Sequence, residues 1–207
     1  PPALTVRVCD SIACEMAGAK ELLEKLPGVL GKDVRVIYAP CVGRCEVAPV
    51  AVVHQNPVGN ATADKLRAAV LKKSFKCPEP EYVDYAKYRK AGGYRLIADC
   101  LAGKRTRDEI TKIMEDSGLR GLGGAGFPAG RKWRIVRNEA APRLMAVNID
   151  EGEPGTFKDR WYLERDPHRF VEGMLIAAWA VGISKVFVYL RDEYHGCRAM
   201  LEAELAK

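Results

Sequence analysis

Four of the seven cysteines fall into two tight pairs, Cys9-x4-Cys14 and Cys41-x3-Cys45, with 26 residues between them. Each pair follows a strand-like stretch: Leu4-Thr5-Val6-Arg7-Val8 alternates in the manner of a strand, and Asp33–Ala39 does so again. If those strands are neighbours in one sheet, both pairs emerge at the same edge. Four thiolates then converge there, as an all-cysteine [2Fe-2S] cluster requires. Within Pro40-Cys41-Val42-Gly43-Arg44-Cys45, Gly43 permits close approach of the backbone, and free amides together with Arg44 soften negative charge on such a group. Structural zinc tolerates the same spacings and stands as a second reading. Disulfides or inert buried thiols are a third, disfavoured by an odd cysteine count and the lack of a secretory signal pattern. Cys77, Cys100 and Cys197 have no partner spacing and are expected to be ordinary small core or surface residues.

Around the cysteines the periodicity reads β-α-β-β-α over residues 4–73. Helical spacing covers Glu15–Leu26, Val50–Val53 is a further strand, and Thr62 caps a helix running to about Lys73 with Leu66, Ala69 and Val70 on one face. That order predicts a small thioredoxin-like α/β domain. Residues 74–93, with Pro78, Pro80, Gly92-Gly93 and the aromatics Phe75, Tyr82, Tyr85 and Tyr88, read as a linker that packs along a surface. A second α/β domain is predicted over 94–207. In it Thr106-Arg107-Asp108-Glu109 forms a capping box for a helix that Gly118 closes. Arg143–Asn148 and Lys185–Leu190 are predicted as buried strands, and His168–Val181 and Glu193–Leu205 as helices.

Two segments of the second domain carry chemistry. Gly121-Leu122-Gly123-Gly124-Ala125-Gly126 satisfies G-x-G-x-x-G, but a capped helix precedes it where a dinucleotide fingerprint needs a strand. Free amides followed by Arg131-Lys132-Trp133-Arg134 suit an anionic phosphate group instead; a surface turn before a basic helix is the plainer alternative. The second segment is Asn148-Ile149-Asp150-Glu151-Gly152-Glu153-Pro154-Gly155-Thr156-Phe157-Lys158-Asp159-Arg160, directly after a strand. Three acids in four residues repel one another unless they have a task or counter-charges. Such side chains can accept from flavin ring N–H groups and ribityl hydroxyls; a solvated acidic loop is the alternative.

The remaining composition mainly excludes. A net charge of +6 is consistent with anionic ligands, yet the 33 basic residues are scattered among 27 acids with no groove-reading or single-strand-binding motif, so nucleic acid is not expected. No run of about 18 apolar residues exists, so neither a membrane span nor a membrane location is expected, and a cytoplasmic one is. The start at Pro1-Pro2-Ala3 and the stop at Lys207 in mid-pattern read as cuts. His54, His168 and His195 are isolated and expected at the surface or as caps.

The stretches V-C-D-S-I-A-C and A-P-C-V-G-R-C resemble the thioredoxin-like [2Fe-2S] domain of the small peripheral subunit of complex I. That resemblance covers residues 4–73 and implies Cys9, Cys14, Cys41 and Cys45 as cluster ligands. Residues 118–207, with R-G-L-G-G-A-G-F-P-A-G-R-K-W and N-I-D-E-G-E-P-G-T-F-K-D, resemble the N-terminal part of the complex I flavin subunit. This second resemblance implies Gly121, Gly123, Gly124 and Lys132 at the FMN phosphate, and Asn148, Asp150, Glu151 and Glu153 near the isoalloxazine or ribityl. Lys132, Phe127 and Glu153 would also face NAD, with Glu153 the residue that tunes hydride transfer. Leu122 stands where complex I usually has Arg, and Ile135 where an aromatic commonly sandwiches adenine.

Both domains in one chain most resemble the beta, or diaphorase, subunit of tungsten- or molybdenum-dependent formate dehydrogenases. The implied partner is a catalytic alpha subunit with a metal-pterin centre and further iron–sulfur clusters, and a [4Fe-4S] cluster is expected beyond residue 207. The diaphorase part of an NAD(P)-reducing hydrogenase, or a complex I-like NADH dehydrogenase, shares every motif. A non-enzymatic electron-transfer module is the alternative of another class.

Overall fold

The computed structural model describes residues 4–207; the Pro1-Pro2-Ala3 start lies outside the described residues. In chain order the elements are β1 (Leu4–Cys9), α1 (Ile12–Met16), α2 (Ala19–Leu30), β2 (Val34–Ala39), β3 (Ala51–Val53), β4 (Asn56–Val58), α3 (Ala63–Leu71), α4 (Tyr85–Lys90), α5 (Arg95–Leu101), α6 (Arg107–Asp116), α7 (Ala129–Arg137), β5 (Arg143–Ile149), α8 (Lys158–Leu163), α9 (Pro167–Val181), β6 (Ile183–Leu190) and α10 (His195–Leu205). They form two compact units, neither continuous in sequence.

The first unit takes the chain up to Glu81 together with Asp150–Glu164 and Leu190–Ala206. Its sheet has the order β2-β1-β3-β4. β1 and β2 are parallel neighbours with Cys9 opposite Ala39, so both cysteine pairs do leave one edge, as the spacing predicts. β3 runs antiparallel to β1 and to β4. Val6, Val8, Leu22, Leu26, Val50, Val53 and Leu66 form the core between sheet and helices. The helix expected over Glu15–Leu26 is two helices, because Gly18 adopts φ +91° and ends the first turn run. α2 also outruns its expected end: Pro27 removes one donor without stopping it, and the Gly31 N–H closes the helix on the Pro27 carbonyl at 3.2 Å. The short β4 escapes periodicity; it is fixed by buried Asn56, whose Nδ2 donates to the Ser74 carbonyl at 2.9 Å.

The second unit comprises Tyr82–Ile149 and Arg165–Tyr189. α5, α6 and α7 all pack on α9, with Ile97, Cys100, Ile110 and Ala180 at the centre and Trp133, Ile176 and Trp179 around them. The capping box forms as predicted: the Thr106 hydroxyl accepts from the Glu109 N–H, and the Glu109 carboxylate accepts from the Thr106 N–H. Gly130 lets α7 approach α6, since a Cβ there would stand 2.5 Å from the Glu115 nitrogen.

The segment read as a linker that packs contains α4, capped by the Asp84 side chain. Two expectations need correction here. β5 and β6 are not buried strands: they form a two-stranded sheet in which Leu144, Phe187 and Tyr189 are exposed, because each strand has one neighbour and no full sheet around it. His168 is neither a surface residue nor a cap. It is 1% exposed, its Nδ1 lies 2.7 Å from the Tyr94 hydroxyl, and Tyr85 and Tyr88 pack against its ring. The Tyr88 hydroxyl donates in turn to the buried Glu172 carboxylate at 2.6 Å.

Candidate functional site

At the sheet edge the four cysteines stand as two pairs. The Cys41 and Cys45 sulfurs are 3.5 Å apart, and the Cys14 thiol hydrogen-bonds Cys9. That bond is the main cause holding the Cys9 thiol down at about 6, while Cys14 is pushed up by the same bond and by burial. Cys45 is also raised, first by burial. All seven cysteines are unbridged. Among the described residues no three His, Cys, Asp or Glu side chains gather on one metal ion. Paired thiols suit two irons sharing four thiolates better than one tetrahedral zinc.

Backbone donors surround these sulfurs. The Gly43 N–H donates to Cys41 Sγ at 3.4 Å, the Gly155 N–H to Cys45 Sγ at 3.2 Å, the Ser11 and Val42 amides to Cys9, and the Val50 amide to Cys14. Donors aimed at sulfur are what a negatively charged cluster needs, so the residues fit the group.

The cysteine loop is gripped from behind by three residues that sequence reasoning did not single out. Arg160 on α8 is 2% exposed; its Nε donates to the Gly43 carbonyl at 2.9 Å, its Nη1 to Glu164 at 2.6 Å, and its Nη2 pairs with Glu46. Arg191 donates to the carbonyls of Cys41 and Glu151 and pairs with Glu193 at 2.8 Å. The Tyr194 hydroxyl lies so close to Gly43, itself at φ +68°, that a Cβ there would stand 2.2 Å away. For Arg160 the available signal was a basic residue at the end of the acidic segment, in Lys158-Asp159-Arg160, but Arg191 and Tyr194 carry no local pattern that announces their partners.

The acidic segment divides at residue 150. Asn148, at the end of β5, belongs to the second unit, while Asp150, Glu151 and Glu153 belong to the first. Asp150 and Glu153 are exposed, but Glu151 is 4% exposed. Its carboxylate accepts from the Asp159 and Arg160 amides and from the Tyr194 hydroxyl at 3.1 Å, so it organises its own loop. Burial and this carboxylate push the Tyr194 hydroxyl far up, keeping it a donor.

In the second unit the glycine loop is closed at its base. The Gly121 N–H donates to the Phe127 carbonyl at 2.9 Å, Ala129 to Leu119 at 2.8 Å, and Arg120 Nη1 to the Gly126 carbonyl at 2.9 Å. Gly124 (φ +97°) and Gly126 (φ +60°) need glycine for conformation. Gly123 does not: its φ is not in the left-handed region, and a Cβ there would meet nothing within 4 Å. A glycine that neither packing nor backbone requires fits a cradle shaped for a ligand, and exposed Lys132 follows on α7. Phe127 is half-exposed, with the Arg131 guanidinium 5.8 Å from its ring centre.

Residues 2–74 match the family described as thioredoxin-like [2Fe-2S] ferredoxin, and residues 114–207 the Nuo51 FMN-binding domain. The chain is a thioredoxin-like ferredoxin domain joined to an FMN-binding domain. FMN and a [2Fe-2S] cluster are its cofactors. An NADH-quinone oxidoreductase subunit of Rhizobium meliloti is 46% identical over 121 residues, which is 58% of this chain and 28% of that protein. The alpha subunit of the NAD-reducing hydrogenase HoxS of Cupriavidus necator is 47% identical over 111 residues, 53% of this chain and 18% of that one. A solved NAD+-reducing [NiFe]-hydrogenase in the air-oxidized state superposes with a TM-score of 0.79 at 30% identity, covering 99% of this chain and 40% of that one. The chain thus spans less than a third of the length of these curated relatives. Among its described residues no helix is long and apolar enough to cross a membrane.

Proposed function

We propose that the chain is the electron-exchange part of a diaphorase, working between NAD+/NADH, FMN and the [2Fe-2S] cluster. The observation that carries this reading is the set of two thiol pairs ringed by amide donors, in one chain with an open glycine loop of the FMN-binding type. When bound, the flavin supplies hydride exchange with a nicotinamide and single-electron exchange with a cluster, leaving position and electrostatics to the protein. In this reading Cys9, Cys14, Cys41 and Cys45 ligate the irons. Gly121, Gly123, Gly124 and Lys132 hold the flavin phosphate, and Asn148, Asp150 and Glu153 approach its ring or ribityl. Glu151 serves the same loop through its backbone bonds. Phe127, Lys132 and Glu153 face the nicotinamide nucleotide, and the Glu153 carboxylate tunes hydride transfer.

The remote reaction we favour is formate + NAD+ to CO2 + NADH, with formate oxidised in a catalytic alpha subunit; the support is the likeness of the fused architecture to formate dehydrogenase beta subunits. Dihydrogen as the remote reductant is the second reading, favoured by the superposition with the NAD+-reducing hydrogenase across nearly all of this chain. Purified protein should contain FMN and iron without zinc, and NADH should bleach its flavin absorption. Zinc in place of iron overturns the cluster, and unbleached flavin overturns the diaphorase. In the native complex, NAD+ reduction driven by formate but not by dihydrogen upholds the first reading, and the reverse upholds the second. Glu153→Gln should retain FMN and change NAD turnover; unchanged steady-state kinetics would remove its tuning role.

A further inference from the structure

Two segments from outside the cysteine motifs bear on the sulfurs, one directly and one through the Cys41–Val42 peptide. The turn Glu153–Thr156, closed by the Thr156 N–H on the Glu153 carbonyl at 3.1 Å, presents the Gly155 N–H to Cys45 Sγ at 3.2 Å. The Cys41–Val42 peptide is pinned at both ends: its carbonyl accepts from Arg191, and its N–H bonds the Cys9 sulfur. Because a trans peptide is planar with C=O and N–H on opposite sides, holding that carbonyl outward aims the N–H at the thiol. Arg191 itself is 6% exposed and anchored by Glu193 at 2.8 Å, so its grip is fixed in place.

We propose that Arg191 and the Gly155 amide set the reduction potential of the [2Fe-2S] cluster, Arg191 as a positioning residue that orients the Val42 N–H on Cys9 and Gly155 as a direct donor to Cys45. This rests on the diaphorase reading, in that it takes the four thiols to be cluster ligands. One electron entering the cluster adds one negative charge to a group already held by four thiolates. Donors at sulfur therefore stabilise the reduced form more than the oxidised one and raise the potential.

Redox titration of the full-length protein, followed by the EPR signal of the reduced cluster, tests this. Arg191→Gln should lower the reduction equilibrium constant about tenfold, a fall of about 59 mV for one electron. Arg191→Lys, which keeps one donor, should recover part of the shift. Since Arg191→Gln could lose the fold, its melting temperature is read alongside, and a second measurement needs no change at that residue. Protein labelled with 15N-glycine should show nitrogen couplings to the reduced cluster from Gly43 and Gly155; Gly155→Ala, unlabelled at that position, should remove one of them and so assign it, and because φ +89° disfavours alanine the turn shifts and the potential should fall. A folded Arg191→Gln protein with an unshifted potential, or unchanged couplings in Gly155→Ala, overturns the inference while leaving the diaphorase reading intact. A protein with no iron and no reduced-cluster EPR signal overturns both.

Discussion

The cysteine loop and the glycine loop are both short, glycine-bearing turns that receive an anionic group, yet they are built in opposite ways. Residues 41–45 are held on every side: Arg160 and Arg191 take the carbonyls of Gly43 and Cys41, Tyr194 closes over Gly43, and amides face the sulfurs. Residues 121–127 are tied only where the loop begins and ends, and a Cβ at Gly123 or Gly124 meets open space. The difference follows from what each must hold. Covalent ligation of a permanent cluster rewards a rigid frame whose cost is met once, on folding. A phosphate bound through backbone amides rewards access, and Gly123, which neither conformation nor packing requires, is explained by what approaches from outside. The first loop should thus fail in stability when altered, and the second in binding.

The largest effect should come from Arg160→Ala. It leaves Glu46 without its buried partner, Glu164 with Arg44 alone at 2.8 Å, and the Gly43 carbonyl without its donor, a loss on the order of 3 kcal/mol. Chemical denaturation should show it as a lower midpoint, with iron lost in parallel. A stable, iron-replete Arg160→Ala protein would mean the rigid frame is not needed. Gly43→Ala follows. The new methyl group collides with the Tyr194 hydroxyl, and φ +68° strains any other residue, together about 2–4 kcal/mol. Pairing it with Tyr194→Phe sharpens the test: the double variant should regain only part of the loss, because the backbone strain persists.

Gly123→Val carries the comparison to the other loop. Its melting temperature should stay close to the parent's, since a Cβ there meets nothing within 4 Å. FMN affinity should fall tenfold or more, about 1.4 kcal/mol, read from quenching of flavin fluorescence. Full FMN affinity would remove the loop from the phosphate site; a large stability loss would erase the contrast between the loops.

How much of this was legible in the sequence depended on whether the signal was local. The cysteine spacing placed both pairs at one sheet edge because β1 and β2 are parallel neighbours, and the Thr106–Glu109 box named its helix start to the residue. Hydrophobic periodicity was less reliable where one residue overrides it, as Gly18 does in splitting one helix into two. It failed for β5 and β6, whose apolar composition suits a buried sheet that these two strands alone do not make. His168 was misplaced for the same reason: its partners Tyr85, Tyr88 and Tyr94 lie about 75–85 residues away, and no pattern around it points to them. In the candidate site the sequence named the sulfurs but not their supports, because Arg191 reaches Cys41 across 150 positions.

The smallest expected effect probes how Arg191 itself is held. The Arg191 side chain beside Glu193 keeps that carboxyl below its ordinary range, chiefly through their hydrogen bond, with burial opposing. A depressed folded-state value means the pair stabilises the protein fully above the unfolded carboxyl range, about pH 4.3, and that this share is lost as pH falls through the lower folded value. Glu193 is partly exposed, so solvent screening keeps the share to about 1 kcal/mol or less. Melting curves of the parent and of Glu193→Gln should therefore differ slightly at neutral pH and converge under acid. If they stay equally far apart down to pH 3, the carboxylate acts through packing rather than charge, and the frame around the cysteine loop owes its rigidity to Arg160 and Tyr194 instead.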